Sequence, residues 1–364
     1  MGNVVYFSKM FQAVPHLAQI HTVLPGMFVS NRRSTLKATA KLYPDMPQAR
    51  YSRLLSSLAS GNRRLTGAEV IVTGSPYKSF LQHYSAKKCT VFHGTYMMLS
   101  KQALLSNAHY DLLCVIGPRM QQMIDRFAST TTLKTVVNTG FLPFCEFPQQ
   151  SEELRQSALL SMGLDPTKKT ILYAPSRRGV GSWDQVAENL IKTTPLDYNL
   201  ILRPHPNQAL TSRSADRTSF RRVQTIAKHH PHSLLDLTSK PLSLLLSITD
   251  LIISDANSPA EESMFYDVPQ LFIETPGYSR DMMRQQATRE EMHPDDTEQL
   301  LSLYDCGPCY HTKNSIDFSS VLNRAILDAP NYAPQRQRYF SWVFGSRDRK
   351  ANERVAQAIS TYLL

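Results

Sequence analysis

The chain has few cysteines, five in 364 residues, and an odd handful in a chain of this size does not make a disulfide framework. It lacks any apolar run approaching the about 20 residues that a spanning helix needs, so a membrane contact, if there is one, is expected to be peripheral. No charged, apolar and cleavage-site sequence opens it, and Tyr6 stands where a myristoylated start would carry Ser or Thr. The expectation is a cytoplasmic protein. A solenoid period and low-complexity tracts are also missing, which argues against repeat and tail-like architectures. What is present is a hydrophobic content of 42%, enough at this length for a core in each of two domains. The formal charge of +10 calls for an anionic partner: nucleotide, phosphorylated polymer, acidic lipid surface or nucleic acid.

Apolar, β-rich runs alternate with helical patterns. Val4–Phe7, Met27–Ser30, Glu69–Thr73, Cys89–Phe92, Leu112–Ile116 and Lys134–Val137 read as strands, with helices at Ala49–Ser60 and Pro118–Ala128. The stretch from Pro143 to Ser151 resembles a linker. The rhythm then restarts with a helix at Ser151–Met162 and strands at Thr170–Tyr173, Asn199–Leu202, Val223–Ile226, Leu251–Ser254 and Gln270–Ile273. Two successive β/α sets of similar length predict an α/β protein of two Rossmann-like domains with a ligand cleft between them. The expected division is residues 1–147, residues 148–346, and a C-terminal helix at 347–364 that could pack back on the first domain.

Four short segments carry candidate chemistry. His93 and His205 each follow an apolar run, and the carboxyl end of a buried parallel strand is where open α/β sheets place ligands. In His93-Gly94-Thr95, glycine allows close backbone approach to a phosphate, and a neutral imidazole can accept a proton from an attacking hydroxyl; the plainer alternative is a histidine that caps a strand end. In Arg203-Pro204-His205-Pro206, the prolines stiffen a turn whose Arg and His can meet phosphate oxygens, unless the Arg simply pairs with a neighbouring carboxylate. Ser254-Asp255-Ala256-Asn257-Ser258-Pro259 precedes a helix whose N-terminus would attract an anion, and it is equally a well-capped helix start. Tyr173-Ala174-Pro175-Ser176-Arg177-Arg178-Gly179 ends another strand with two arginines, suited to phosphate or to solvent.

In their order and spacing these segments resemble the CDP-glycerol glycerophosphotransferase family of teichoic-acid synthesis. The tail, Phe344-Gly345-Ser346-Arg347-Asp348 with Glu353-Arg354-Val355, is similar to that family's closing motif, as is Asp267-Val268-Pro269 to the end of its helix motif. The resemblance implies a GT-B fold and in-line attack on the β-phosphorus of a CDP-activated polyol, with release of CMP. It implies His93 as base on the acceptor hydroxyl, Arg203 and His205 at the donor diphosphate, Ser258 beside them, and Glu262 where the family carries an Asp. The expected site therefore has His93 and His205 as catalytic residues and Gly94, Thr95, Ser176, Arg178, Arg203, Asp255, Asn257, Ser258 and Glu262 around the donor, with no metal and no cofactor. Expected partners are a CDP-linked polyol donor and a lipid-linked or glycan acceptor. Arg177 stands where the family has Phe, and Tyr96-Met97-Met98 where it often has Pro-Leu-Lys.

Two other classes compete. A nucleotide-sugar glycosyltransferase would use the same architecture, and a nucleic-acid-binding protein would use the basic charge, through Arg213, Arg217, Arg221 and Arg222 near Phe220. Aromatics interleaved with that patch are sparse, so nucleic acid is not expected. The basic residues Arg32, Arg33, Lys37 and Lys41, with a short helix over Ser34–Leu42, suit peripheral contact with the anionic inner face of a membrane. Arg63-Arg64 and Arg347, Arg349 and Lys350 repeat the pattern. Cys306-Gly307-Pro308-Cys309 spells a dithiol but lacks the strand-to-helix context that lowers a thiol pKa, and His229, His230 and His232 read as a solvated turn.

Overall fold

The computed structural model describes residues 3–52, 59–209, 213–238, 240–314 and 316–364. The chain divides into two compact units. The first comprises Met1–Glu146, Glu290–His293 and Ser341–Leu364, and the second Phe147–Arg289 and Pro294–Phe340.

The first unit holds a seven-stranded sheet of β1 (Val4–Phe7), β2 (Met27–Ser30), β3 (Gln48–Arg50), β4 (Val70–Thr73), β5 (Lys87–Thr90), β6 (Leu112–Val115) and β7 (Thr135–Asn138), in the order β3-β2-β1-β4-β5-β6-β7. Every pair is parallel, with Phe7 opposite Val29 on one side and Thr73 on the other. The second unit repeats the plan with β8 (Lys169–Tyr173), β9 (Tyr198–Leu202), β10 (Ser233–Leu235), β11 (Leu251–Ser254), β12 (Gln270–Glu274) and β13 (Cys309–His311), ordered β10-β9-β8-β11-β12-β13 and again parallel. Helices cover both faces of such sheets, so the central strands β1, β4, β6 and β11 are buried throughout. This is an α/β fold of two Rossmann-like sheets.

Several elements differ from the sequence-based expectation. Val223–Ile226 is not a strand: it lies in the helix Ser214–Ala227, which buries Phe220, Val223 and Ala227 at helical spacing. Three β-branched residues in a four-residue window, Val223, Thr225 and Ile226, mimic a strand, while the strand beside β9 is the three-residue Ser233–Leu235. The expected helix over Ala49–Ser60 is also corrected. Its start belongs to β3, paired with β2, residues 53–58 lie outside the described residues, and helix begins at Ser60. The strand expected to reach Phe92 ends at Thr90, because Phe92 turns into the left-handed region at φ 55°. The linker-like stretch contains a 3-10 turn, Leu142–Glu146, with Leu142, Pro143 and Phe144 buried. Cys306 is buried, which pushes its thiol up to about 12, and Cys309, exposed at the start of β13, is also raised by partial desolvation and then by the Glu274 carboxylate, so neither is poised for thiolate chemistry.

The closing motif is structural. Burial opposes ionisation of Asp348, but bonds from Arg354 (2.8 Å) and the Lys350 N–H hold its carboxyl down at about 2. Arg354 also donates to the Thr139 carbonyl at 2.7 Å, and Gly140, at φ 89°, has no room for a Cβ beside that guanidinium. The helix Ala351–Tyr362 so fastened inserts Val355, Ala358 and Ile359 into a core with Leu17, Ile20, Val72 and Leu112. Ile359→Ala should therefore cost about 2–4 kcal/mol of stability through the cavity it leaves, measured by denaturant unfolding of the full chain. A change below about 0.5 kcal/mol would mean that this helix is not part of the core.

Candidate active site

In a parallel sheet the crossovers on either side of the point where strand order reverses leave toward opposite faces, opening a crevice at the carboxyl ends of the two strands that meet there. In the second unit that point lies between β8 and β11. A pocket of about 270 Å³ occupies it, lined by Ala174, Pro175, Ser176 and Arg177 after β8, Arg203 to Pro206 after β9, and Asn257 to Pro259 after β11, with Leu242 and Tyr278 at its wall. Of the expected donor residues, Ser176, Arg203, His205, Asn257 and Ser258 thus converge on one pocket.

Asp255 does not line it. Its carboxylate is fully buried and accepts hydrogen bonds from the Ser176 N–H at 2.6 Å, the Ser182 N–H at 3.1 Å and the Ser182 hydroxyl. Burial raises its pKa to about 6, with these bonds opposing. Gly181 is required for the approach, since a Cβ there would stand 2.1 Å from the Asp255 carboxylate. Asp255 therefore shapes the β8 loop. Asn257 adds a second tie: its amide donates to the Ala174 carbonyl at 3.0 Å, so it is a backbone N-cap without a side-chain cap bond. Between them Ala256 takes a left-handed φ of 52°.

Charge separates the arginines. Arg203 is 3% exposed and its guanidinium meets Asp236 at 2.5 Å and the Lys240 carbonyl, so its charge is already matched. Arg178, expected at the donor, points elsewhere: it bonds Asp216 at 2.9 Å and Asp184 at 3.2 Å and lines a separate pocket of about 520 Å³ with Trp183, Glu188 and Arg222. Glu262 sits on the helix Ser258–Ser263 outside the lining of the first pocket. Arg177, which sequence reasoning did not place in the site, does line it. Burial first, and the Arg177 cation second, lower the His205 pKa to about 4, leaving the imidazole neutral near pH 7.

The reversal point of the first sheet lies between β1 and β4, and His93, in the loop after β5, reaches the residues just beyond β4. Its Nδ1 is 2.6 Å from the Gly74 carbonyl, with the Ser75 hydroxyl 3.1 Å away, just beyond β4. A carbonyl can only accept, so Nδ1 carries the proton and Nε2 keeps the lone pair that a general base needs. Burial lowers the His93 pKa, the Gly74 bond opposing. The neighbouring loop is bent by positive φ at Phe92, Gly94 and Tyr96, 55°, 62° and 50°. Two buried groups hold it: the Gly94 N–H donates to His16 Nε2 at 3.1 Å, and Arg119 Nη2 donates to the Thr95 carbonyl at 2.6 Å. Gly94 and Thr95 thus use these backbone groups inside the protein rather than offering them to a phosphate. His16 follows β1 on the helix Val14–His21; its place beside the reversal point depends on the sheet order, and no local signal in the sequence marks it. Among the described residues no three His, Cys, Asp or Glu side chains gather as a metal site.

The family model described as CDP-glycerol:poly(glycerophosphate) glycerophosphotransferase matches residues 36–361. No curated protein sequence matches the chain. Among solved structures, the wall teichoic acid polymerase TagF, soaked with CDPG, is similar over 99% of this chain and 88% of its own, at 15% identity and a TM-score of 0.67. Anabaena Alr3699/HepE, in complex with UDP and glucose, is similar over 99% and 100% at 11% identity and 0.58. A putative UDP-N-acetylglucosamine 2-epimerase from Listeria monocytogenes is similar over 99% and 97% at 15% identity and 0.57. At these identities the likeness to solved structures is one of fold.

His16→Ala strands the Gly94 N–H and should cost about 1–3 kcal/mol, read as a lower Tm, with His16→Gln restoring part by supplying a new acceptor. The acid response has a definite sign. Burial first, with the nearby His93 adding to it, lowers the folded-state pKa of His16 to about 3. The unfolded chain therefore binds a proton below about pH 6.5 that the fold refuses, and stability falls on acidification from there by up to about 1.4 kcal/mol per pH unit. Wild type should lose stability relative to His16→Gln between pH 6.5 and 4. Parallel losses would place His16 outside this role.

Proposed function

This chain belongs to the CDP-glycerol:poly(glycerophosphate) glycerophosphotransferase family, and from that premise we propose that it moves glycerol phosphate, or a related polyol phosphate, from a CDP-activated donor to a hydroxyl of a lipid-linked or glycan acceptor, releasing CMP. It is a transferase of the kind that builds teichoic-acid-type polymers of the cell envelope. The observation that carries the division of labour is the pocket at the carboxyl ends of β8, β9 and β11, where His205, Ser258 and Asn257 converge and, among the described residues, no carboxylate lines it. That pocket takes the donor diphosphate. His93 accepts the proton of the attacking hydroxyl at Nε2 as the oxygen bonds the β-phosphorus, and the bond to CMP breaks with its electron pair leaving on the CMP oxygen. Such a reaction depends on positioning and charge neutralisation more than on covalent help. Arg203 and Asp255 act as positioning residues, through Asp236 and Ser176.

Purified protein with CDP-glycerol or CDP-ribitol and an acceptor should release CMP. His93→Ala should lower turnover by about 10²–10⁴-fold while donor affinity, read by calorimetry, stays near wild type. Full activity in that variant would remove His93 from the mechanism, and release of UDP from a UDP-sugar in place of CMP would make the protein a glycosyltransferase.

Among the described residues no helix is long and apolar enough to cross a membrane. The helix Arg33–Leu42 exposes Arg33, Lys37 and Lys41 while burying Thr35 and Thr39. We propose that this face meets the anionic cytoplasmic leaflet where a lipid-linked acceptor would lie, each basic residue contributing about 1 kcal/mol and salt weakening it. Sedimentation with phosphatidylserine vesicles at low salt should exceed that with neutral vesicles; equal recovery would leave a soluble acceptor. The second basic patch is less available, since Arg222 pairs with Glu188 at 2.5 Å.

A further inference from the structure

Among the described residues, the charges around the pocket of the second unit leave Arg177 without a carboxylate partner. Among the described residues two of its lining are arginines, Arg177 and Arg203, and none is acidic. Arg203 is buried and spends its guanidinium on Asp236 and the Lys240 carbonyl. Arg178, the neighbour of Arg177, spends its own on Asp216 and Asp184 and lines a different pocket. Arg177 is exposed, and among the described residues its guanidinium has no carboxylate partner.

Its backbone is well anchored. The Arg177 carbonyl accepts the N–H groups of Val180 at 3.0 Å and Gly181 at 2.9 Å, and Gly179 closes the turn at φ 85°. On either side of the turn, Ser176 and Ser182 are bonded to the buried Asp255. A planar fork on an anchored turn, facing a pocket with no negative charge, is suited to two adjacent phosphate groups, which it can grip through paired N–H donors. A neutral pocket or a single hydroxyl ligand would leave that charge without a partner.

Resting on the donor reading above, we propose that Arg177 is the residue that binds the donor diphosphate by charge, and that Arg203 only holds the loop carrying His205 in place. The side chain that recognises the donor's diphosphate is thus not Arg178, the arginine expected there from the sequence, but its neighbour in the same segment. The proximity of Arg177 to His205 gives a second, independent readout, because this cation adds to burial in keeping His205 neutral.

Calorimetry on the full chain tests this with CDP and CMP as probes. Wild type should bind CDP more tightly than CMP. Arg177→Gln should weaken CDP by about 10- to 100-fold, weaken CMP far less and leave Tm unchanged, while Arg177→Lys keeps the charge and recovers part of the affinity. The slope of log Kd against log salt for CDP should fall in Arg177→Gln. In a histidine NMR titration, the His205 pKa should rise in the same variant. Arg203→Gln, by contrast, strands a buried Asp236 and should lower Tm. If Arg177→Gln binds CDP as tightly as wild type, or His205 titrates unchanged, the assignment is overturned while the donor pocket stands. If wild type binds neither nucleotide, the donor reading falls and takes this assignment with it.

Discussion

Where β8 and β11 lie side by side, the chain leaves one toward β9 and the other toward β12, and the carboxyl ends of the pair are left with no crossover above them. Everything distinctive in the second unit is arranged around that opening. The loops after β8 and β11 are tied to each other by a buried carboxylate, Asp255, which spends its oxygens on the Ser176 and Ser182 backbone and on the Ser182 hydroxyl. Its burial is costly for a charged group and is offset only because three donors meet it. The result is a braced turn with a pocket beside it and, among the described residues, no negative charge in the lining.

The two units handle histidine alike. His16, His93 and His205 all have pKa values lowered chiefly by burial, so each is a neutral ring at physiological pH. For His16 the consequence is structural, because an unprotonated Nε2 is what the Gly94 N–H needs. For His93 it is chemical: the proton on Nδ1, held by the Gly74 carbonyl, leaves the other nitrogen open to accept one. Arginine is handled by the opposite device. Arg203, Arg178 and Arg354 are each set against carboxylates, which turns long flexible cations into fixed braces.

Much of the fold was legible in the sequence for one reason. A parallel strand buried on both faces must be apolar at successive positions, so β1, β4, β6, β8, β9, β11 and β12 stand out as runs. The three-residue strands β3, β10 and β13 do not, since an edge strand can be short and mixed. The window Val223–Ile226 was misread because a helix packed on one face can also place β-branched residues close together. His93 and His205 were legible because glycine and proline beside them mark a strand turning into a loop. His16 was not, because nothing in Val14-Pro15-His16 announces a partner 78 residues away.

The amino-acid sequence by itself determined the alternation of strands and helices, the two-part organisation, the family and the loops in which the chemistry sits. These follow from periodicity, turn residues and motif order, all of which are local. Tertiary structure alone decided which charges are spent and which remain. Arg177 and Arg178 are adjacent and chemically identical, yet one faces a pocket and the other meets Asp216, 38 residues away. Which of two neighbouring guanidiniums finds a carboxylate depends on how distant segments pack, and no pattern within the motif records it.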